Sequence, residues 1–444
     1  MKAHIRVFAC LLFISVFALP MMVELYIHSS SAAVRVLGGL VGLTGCLLWK
    51  CLPRLRAAAV CIYVLLIFQF SNTIVRNYVT MKNRKSAEEL DLHAILNSQF
   101  VRAALLLALM AAAGIVIPML MQRYAPVLLG DVCAKRWIAA LLMAIYIPLI
   151  LIKISRGASS TVVSIFGITP LEIAKFLICV QIGILASEQK KDSGMLCTVF
   201  FFFNCAVFML LRETGSFLIF SVCFFITMLS SGFYHLAITG TLLGGGVIGG
   251  AFWVCNFLSK LKISNEEIYN KVPGLMRTLS EFYMKRVDLT AAQAGDLNQI
   301  GYALSGIARS RLFWGYGSLG SLPEGSTDMA FAGCVECYGL LAGLLILACL
   351  TVLMCSLWMN IRERSSHLPT AIGVQTAIAT MFTVETIIMV GGNLGILPLT
   401  GLPTFFLSKG MTSNVCGIAA VFLFHECICY VDREEEHAEE RRIR

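Results

Sequence analysis

An acidic residue stands where a polar loop of this chain meets an apolar helix. The segment Leu322–Ala332 reads LPEGSTDMAFA, and Asp328 is its last charged residue before the apolar run. An ionisable group at a membrane border is costly to desolvate, so it is a candidate functional residue by default. A positioned carboxylate can remove a proton from a reacting hydroxyl, whereas an aspartate beginning a helix can also be a simple N-cap. We predict a reaction centre at the outer mouth of a helix bundle, with Asp328 in its middle.

The elements that must position this residue are membrane helices. Of the 444 residues, 58% are hydrophobic and only 14% are charged, whereas soluble domains carry about 25% charged residues. Apolar stretches that cross a bilayer must satisfy their backbone groups internally, which requires helices. The predicted fold class is therefore an all-α, polytopic integral membrane protein. The net charge of +9 is spread over short loops, which fits lipid headgroups and membrane orientation and argues against nucleic acid as a partner.

Apolar periodicity predicts about twelve transmembrane helices. The runs are 7–27, 34–49, 57–75, 101–121, 137–152, 169–186, 195–211, 215–231, 236–257, 328–358, 369–392 and 412–431. Glycines and prolines of 395–410 predict a broken, re-entrant connection. Basic residues in alternate loops place both termini in the cytoplasm, although those in the opposite loops 76–102, 153–156 and 259–327 weaken this assignment.

We divide the chain at residue 156. Residues 1–156 hold N-terminal transmembrane helices, and 157–444 form a core with a large extracellular loop, 258–327, and a short cytoplasmic tail, 432–444. The mixed charges of the tail predict a disordered end.

Several polar residues lie inside the apolar runs. The 17 cysteines are interpreted as small packing residues, and so is the CxxC segment Cys334–Cys337, because no second pair accompanies it. Glu172 and Lys175 stand three residues apart on one helix face. They form either a structural ion pair or part of a substrate-lining surface. Glu336 and Glu385 are predicted to be buried and to face the interior of the bundle.

Several separated segments resemble motifs of the SEDS family (shape, elongation, division and sporulation), the FtsW, RodA and SpoVE type of peptidoglycan polymerase. The segment from Leu322 resembles LPExHTDFIFAxxGEExG and continues to Glu336 and Gly339. Further matches follow the family order: 169–175 to QPSEFAK, 212–216 to PDLGT, 285–287 to the start of the large extracellular loop, 299–317 to its amphipathic stretch, and 395–413 to GLLPxTGxPLPFxSYGGSS. The resemblance covers 157–428 and implies a ten-helix core preceded by two extra N-terminal helices.

The chain departs from these motifs at several positions, which marks a divergent member. Ser326 replaces the motif histidine, Phe405 a proline and Lys409 a tyrosine. Further departures are Thr169, Leu171, Arg212, Glu213 and Thr290. Because Asp328 matches, the departures bear more on substrate detail and partner docking than on the fold.

The resemblance implies a peptidoglycan glycosyltransferase that polymerises lipid II, a lipid-linked disaccharide-pentapeptide, on the outer face of the bacterial cytoplasmic membrane. Asp328 would be the general base that takes the proton of the attacking hydroxyl. The leaving pyrophosphate favours cations, although each basic candidate could instead extend towards lipid headgroups. The predicted substrate-binding residues are Glu324, Thr327, Arg286, Arg309, Arg311, Lys175, Glu172, Arg212, Glu213, Lys409 and Ser408.

The resemblance also implies partners. They are a class B penicillin-binding protein, which supplies the transpeptidase, and other membrane proteins of the divisome or elongasome. Mg²⁺ or Mn²⁺ could neutralise the phosphates, but the sequence shows no dedicated site for either ion. Three alternatives stay open, namely a lipid II flippase or transporter, a non-catalytic scaffold for division or elongation, and an O-antigen ligase or polymerase. The LPExxTD match argues against the last.

Overall fold

The computed structural model describes residues 2–27, 32–84, 92–130, 170–186, 191–210, 214–233, 299–315, 322–362, 369–397, 401 and 403–443, with 254, 257–258, 261, 266–274 and 276–277. All regular elements in this part of the chain are helices, so the all-α prediction is confirmed. They are α1 (Lys2–Ile27), α2 (Ala32–Cys51), α3 (Arg56–Arg84), α4 (Leu92–Gly130), α5 (Pro170–Ala186), α6 (Lys191–Leu210), α7 (Thr214–Ser230), α8 (Glu266–Lys271), α9 (Gln299–Arg309), α10 (Ala330–Tyr338), α11 (Leu340–Arg362), α12 (Pro369–Asn393) and α13 (Met411–Ile443).

Many of these helices are suited to a bilayer. Among the described residues, seven helices are long and apolar enough to cross a membrane, namely α1 to α4 and α11 to α13. Such lengths and compositions make the chain a multi-pass membrane protein. The predicted crossing at 137–152, and nearly all of that at 236–257, lie outside the described residues. The number of about twelve crossings and the division at residue 156 therefore stay predictions.

The three N-terminal helices pack closely because small residues lie between them. A Cβ atom at Gly38 of α2 would lie 2.5 Å from the Ser15 carbonyl oxygen of α1, so the two backbones approach as only glycine permits. The Tyr63 hydroxyl of α3 donates a hydrogen bond of 2.5 Å to the Leu11 carbonyl of α1. Helices α1, α2 and α3 thus pack against one another as a three-helix group.

Helix α1 also contacts α10, the short helix that follows Asp328. The Tyr26 hydroxyl donates a hydrogen bond to the Cys337 carbonyl oxygen in the last turn of α10. The Tyr26 ring lies 6.3 Å from the Tyr338 ring, edge to face, and the Tyr338 ring lies 6.1 Å from Phe68 of α3. Because carbonyls in the last turn of a helix lack intrahelical partners, Tyr26 satisfies one of them.

The prediction of a single helix over 328–358 is wrong, because the chain breaks at Gly339 into α10 and α11. Gly339 has a φ of 88°, which glycine adopts at little cost. The carbonyls of Arg311 and Leu312 accept hydrogen bonds from the N–H groups of Leu340 and Leu341, at 3.0 and 2.9 Å. The turn after α9 therefore caps the beginning of α11 and stabilises the break.

The described part of the predicted loop 258–327 contains α8 and α9, and α9 buries Ile300 and Ala303 on one face, as the amphipathic stretch predicts. Another loop prediction needs correction. Arg76 and Arg102, which were assigned to a loop between crossings, lie within α3 and α4. They therefore lie within the helix bundle and do not count as loop charges.

The tail is not disordered, because α13 continues to Ile443. The Asp432 carboxylate lies 3.1 Å from the Arg54 guanidinium, which ties the beginning of the tail to the α2–α3 turn. The glutamates and arginines that follow are good helix formers, so the helix extends past its apolar part.

We expect Tyr26→Phe to lower the free energy of unfolding by about 1–3 kcal/mol, because the buried Cys337 carbonyl loses its donor while the ring contacts remain. Thermal unfolding of the detergent-purified protein measures this change. Tyr124→Phe, at an exposed position of α4, is the matched control. Equal unfolding temperatures for the two variants would contradict the contact between α1 and α10.

Candidate functional site

The loop that carries the predicted base is a tight turn, Leu322–Asp328, which we call the Asp328 loop. The N–H groups of Thr327 and Met329 both donate to the Glu324 carbonyl oxygen, at 2.9 and 3.0 Å. The Thr327 hydroxyl donates to the Glu324 carboxylate at 2.6 Å. Glu324 has a φ of 53°, and non-glycine residues held in this region are often found at functional sites. The half-buried Asp328 thus follows a turn that the side chains of Glu324 and Thr327 close by bonding to each other.

One side of the Asp328 loop rests on α3. Asn72 donates its side-chain N–H to the Gly325 carbonyl at 2.9 Å, and Arg76 donates to the Leu322 carbonyl at 3.4 Å. The Arg76 Nε also donates to the Asn72 side-chain oxygen at 3.1 Å, which orients the amide. A Cβ atom at Gly325 would overlap the Arg76 guanidinium, so the close approach depends on glycine.

A buried ion pair links the same arginine to α10. The Arg76 Nη2 atom lies 2.5 Å from the Glu336 carboxylate, and the two side chains are 7% and 1% exposed. The same nitrogen donates to the Gly333 carbonyl at 3.2 Å. The prediction that Glu336 is buried and hydrogen-bonded is confirmed. Arg76 thereby joins the beginning of the Asp328 loop to the helix at its end.

The other side of the Asp328 loop rests on the end of α12 and on the connection to α13. The Asn393 side chain donates to the Asp328 carbonyl and accepts from the Ala332 N–H, both at 3.0 Å. The Ser408 hydroxyl donates to the Thr327 carbonyl at 2.6 Å. The Lys409 backbone N–H donates to the Ser326 carbonyl at 2.7 Å. The carbonyls of four consecutive residues, 325–328, are thus each held by a different residue outside the loop.

Ser408 is itself fixed on several sides, in the irregular connection that the glycines and prolines predict. Its hydroxyl accepts from the Thr404 N–H at 2.8 Å. Its carbonyl accepts from Gln69 of α3 at 2.6 Å and from Asn414 of α13 at 3.2 Å. The structure thus places Ser408 where it supports the loop backbone, and its predicted contact with substrate stays a prediction.

Two cationic side chains lie beside the Asp328 loop. The Arg102 guanidinium of α4 donates to the Lys409 carbonyl. Burial lowers the pKa of the Lys409 ammonium and the nearby Arg102 lowers it further, while Glu324 opposes both effects. Lys409 is one of the residues predicted to bind the leaving pyrophosphate. Arg102 was not predicted, because it was assigned to a loop.

A second buried group of charges lies around α5. The Lys175 Nζ atom lies 2.7 Å from Glu172 and 3.0 Å from Glu385 of α12, and 5.6 Å from the centroid of the Phe405 ring. The predicted pairing of Glu172 with Lys175 is confirmed, and Glu385 is buried as predicted. The third partner was not foreseen, because spacing along one helix cannot show which residue of another helix faces it. A role of this group in substrate binding stays a prediction.

The remaining candidates are less central. Arg309 and Arg311 are exposed at the end of α9. The turn at this end caps α11, and the substrate contact predicted for the two arginines stays a prediction. Arg286, Arg212 and Glu213 lie outside the described residues. The cysteines of the CxxC segment are buried and free in α10, as packing residues are.

The use of Mg²⁺ or Mn²⁺ to neutralise the phosphates also stays a prediction. Asp328 and Glu324 supply oxygen atoms of the kind that Mg²⁺ and Mn²⁺ prefer. The Glu324 carboxylate already accepts the Thr327 hydroxyl, so binding of a metal there would have to displace or share this contact.

The residues that sequence reasoning missed are the supporting ones. Asn72, Arg76 and Asn393 contact the Asp328 loop directly, yet none of them belongs to a motif identified in the sequence. Arg76 could have been recognised as a supporting residue, because it stands at the end of an apolar run and an intramembrane charge needs a partner. No comparable signal distinguishes a supporting asparagine from other polar residues.

We expect Arg76→Ala to lower the free energy of unfolding by about 3–5 kcal/mol, because the Glu336 carboxylate would stay buried without its cation. Adding Glu336→Gln should recover part of this loss, since it removes the unpaired charge. Thermal unfolding of the purified variants measures both effects, with Arg123→Ala, at an exposed position, as the control. If the double variant were no more stable than Arg76→Ala, the two side chains would not be coupled.

A comparison with protein families gives a match along most of the chain. The family described as "Cell cycle protein", with the label FTSW_RODA_SPOVE, matches residues 63–431. This match begins in α3, upstream of residue 157, where the motif resemblance begins. It includes α3, α10, α12 and the connection to α13, and therefore every residue described above as holding the Asp328 loop.

Curated relatives match over shorter stretches. A protein of Enterococcus hirae, named "Probable peptidoglycan glycosyltransferase FtsW", is 34% identical over 94 residues, which are 21% of this chain and 23% of the relative. A protein of the same name from Marinomonas mediterranea is 34% identical over 157 residues, 33% of this chain and 38% of the relative. The chain thus aligns with less than half the length of these relatives.

Two solved structures align with most of this chain at low sequence identity. One is a chain of a peptidoglycan synthase complex, described as coordinating polymerization and crosslinking, with a TM-score of 0.48, 16% identity, and coverage of 82% of this chain and 97% of that chain. The other is the rod shape determining protein RodA of Thermus thermophilus, with a TM-score of 0.43, 16% identity, and coverage of 82% and 95%. Because the family match extends from α3 into α13, the chain belongs to the FtsW, RodA and SpoVE family of cell cycle proteins.

Proposed function

We propose that this protein is a peptidoglycan glycosyltransferase that polymerises lipid II on the outer face of the bacterial cytoplasmic membrane. Family membership supports this proposal, and so does the name of the relatives that align with part of the chain. The observation that carries it is the Asp328 loop, in which four consecutive carbonyls are held from outside. This arrangement fixes the backbone of one acidic residue at the border of an apolar helix.

The proposed reaction joins two lipid-linked sugars. A hydroxyl oxygen of the acceptor forms a bond to the anomeric carbon of the donor, while the bond from that carbon to the pyrophosphate oxygen breaks. Undecaprenyl pyrophosphate leaves with the bonding electrons, and the Asp328 carboxylate takes the hydroxyl proton. General base catalysis of this kind contributes about 10²–10⁴-fold to the rate. It requires the carboxylate to stay within hydrogen-bonding distance of the acceptor, which a fixed loop backbone favours.

The leaving group requires positive charge. In our proposal Lys409 and Arg102 stabilise the pyrophosphate, because they lie at the edge of the Asp328 loop and burial strengthens their interaction with an anion. Lysine at position 409 replaces the family's tyrosine, so this cation distinguishes the chain from the common motif. In our proposal Glu324 and Thr327, which are hydrogen-bonded to each other, orient the acceptor.

The alternatives lead to different experimental outcomes. A lipid II flippase would move the lipid across a bilayer without forming polymer, and a scaffold would bind its partners with or without the Asp328 carboxylate. An O-antigen ligase or polymerase would use another lipid-pyrophosphate donor. The proposed partner for crosslinking is a class B penicillin-binding protein, with other divisome or elongasome proteins, and the assay below therefore includes such a partner.

We expect Asp328→Asn to reduce lipid II polymerisation by at least ~100-fold, because the amide cannot accept the hydroxyl proton. Glycan product is measured by gel electrophoresis after incubation of purified protein with lipid II, alone and with the penicillin-binding protein. Asp432→Asn in the tail is the control. Asp432 follows Met411 by 21 residues, which places it about 30 Å along α13 from the Asp328 loop, so this change should leave the rate unchanged.

Two results would contradict the proposal. If Asp328→Asn polymerised lipid II at the wild-type rate, Asp328 would not be the base. If a folded wild-type complex formed no polymer, the protein would not be a polymerase, and lipid transport or scaffolding would explain the fold better.

A further inference from the structure

A second group of reactive side chains lies on α13, away from the Asp328 loop. His425 and Glu426 are buried, and Cys429, one turn further along, is half-buried. One ligand atom from each of the three lies within 4.8 Å of the others. Asp328 and the proposed reaction use none of these residues. His425 follows Met411 by fourteen residues, which at 1.5 Å per residue places the group about 20 Å along α13 from its beginning near the Asp328 loop.

The distances within this group match the edges of a metal tetrahedron. The His425 Nδ1 atom lies 3.3 Å from the Glu426 Oε1 atom and 3.8 Å from the Cys429 Sγ atom. Zn²⁺ binds nitrogen and oxygen at about 2.0 Å and sulfur at about 2.3 Å. In a tetrahedron with these bonds, nitrogen lies about 3.3 Å from oxygen and about 3.6 Å from sulfur. The Glu426 oxygen and the Cys429 sulfur lie within 4.8 Å of each other, and rotation of the flexible Glu426 side chain would bring them to the tetrahedral separation of about 3.6 Å.

The charges of the group also favour a divalent cation. Glu426 lies in the apolar span of α13, where an isolated carboxylate is costly. Its hydrogen-bonded partner in the described part of the chain is the neighbouring His425. When the Cys429 thiol releases its proton to solvent, the thiolate and the carboxylate carry two negative charges, which one Zn²⁺ ion neutralises. The histidine binds as the neutral ring.

We propose that His425, Glu426 and Cys429 bind a transition-metal ion of the zinc class through Nδ1, a carboxylate oxygen and Sγ. Three protein ligands leave the fourth position for water or another ligand. The thiol lies toward the tail end of α13, the side that loop charge assigns to the cytoplasm, where cysteines remain reduced. The proposal is independent of the glycosyltransferase reaction.

The test uses the full-length protein in detergent, treated with a chelator and then titrated with Co²⁺ alone. We expect one equivalent of Co²⁺ to produce a thiolate-to-cobalt charge-transfer absorption that Zn²⁺ abolishes by displacement. Cys429→Ser should eliminate the absorption, and His425→Gln should weaken Co²⁺ binding by at least ~10-fold, because each removes a ligand. Cys427→Ser is the matched control, since Cys427 is buried two residues away and belongs to no proposed ligand set.

Thermal unfolding provides a second measurement on the same variants. Zn²⁺ should raise the unfolding temperature of the wild type and of Cys427→Ser but not that of Cys429→Ser, because a ligand stabilises only the state that binds it. Absence of the charge-transfer absorption in the folded wild type would overturn the proposal. The same absorption in wild type and Cys429→Ser would also overturn it, because the metal would then bind another of the cysteines.

Discussion

The hydrogen-bonding requirement of one short backbone segment determines much of this structure. Four consecutive carbonyl groups, from Gly325 to Asp328, adopt no helical hydrogen-bonding pattern of their own and lie against apolar helices. Carbonyl groups that pack against protein need hydrogen-bond donors from it. The donors come from α3, from the end of α12 and from the connection to α13. Packing of these distant segments therefore fixes the backbone of Asp328.

The same requirement explains why some departures from the family motifs leave the arrangement intact. Ser326 and Lys409 replace a histidine and a tyrosine, yet the bond between them joins the Lys409 N–H to the Ser326 carbonyl. A contact between main-chain groups does not depend on either side chain. The lysine then adds a cation beside Arg102. At Phe405, which replaces a proline, the ring lies near the Lys175 ammonium, so this substitution adds an aromatic ring beside the buried charges of α5 and α12.

The sequence predicted the helices and the acidic loop better than their mutual contacts. Apolar periodicity located α1 to α7, α12 and most of α13, because membrane helices need long apolar runs. It missed the break at Gly339, since α10 and α11 are both apolar and only the capping turn after α9 separates them. It also missed the helical tail, which an ion pair with Arg54 supports. Asp328, Glu172, Lys175 and Glu336 were recognisable as costly charges, whereas Asn72 and Asn393 were not, because their roles depend on which carbonyl faces them in the folded chain.

We propose that the held backbone of the Asp328 loop, and not the carboxylate alone, makes the site competent. Asn393→Asp tests it most directly, since the change is isosteric and replaces the donor to the Asp328 carbonyl with an oxygen while keeping the acceptor for Ala332. The measurement is kcat and KM for lipid II polymerisation by a variant whose thermal unfolding shows it to be folded. A small displacement of a catalytic group can cost about 10²-fold, so we predict a fall in kcat of at least ~10-fold with little change in KM. A folded Asn393→Asp protein with the wild-type kcat would show that the site does not depend on the held backbone.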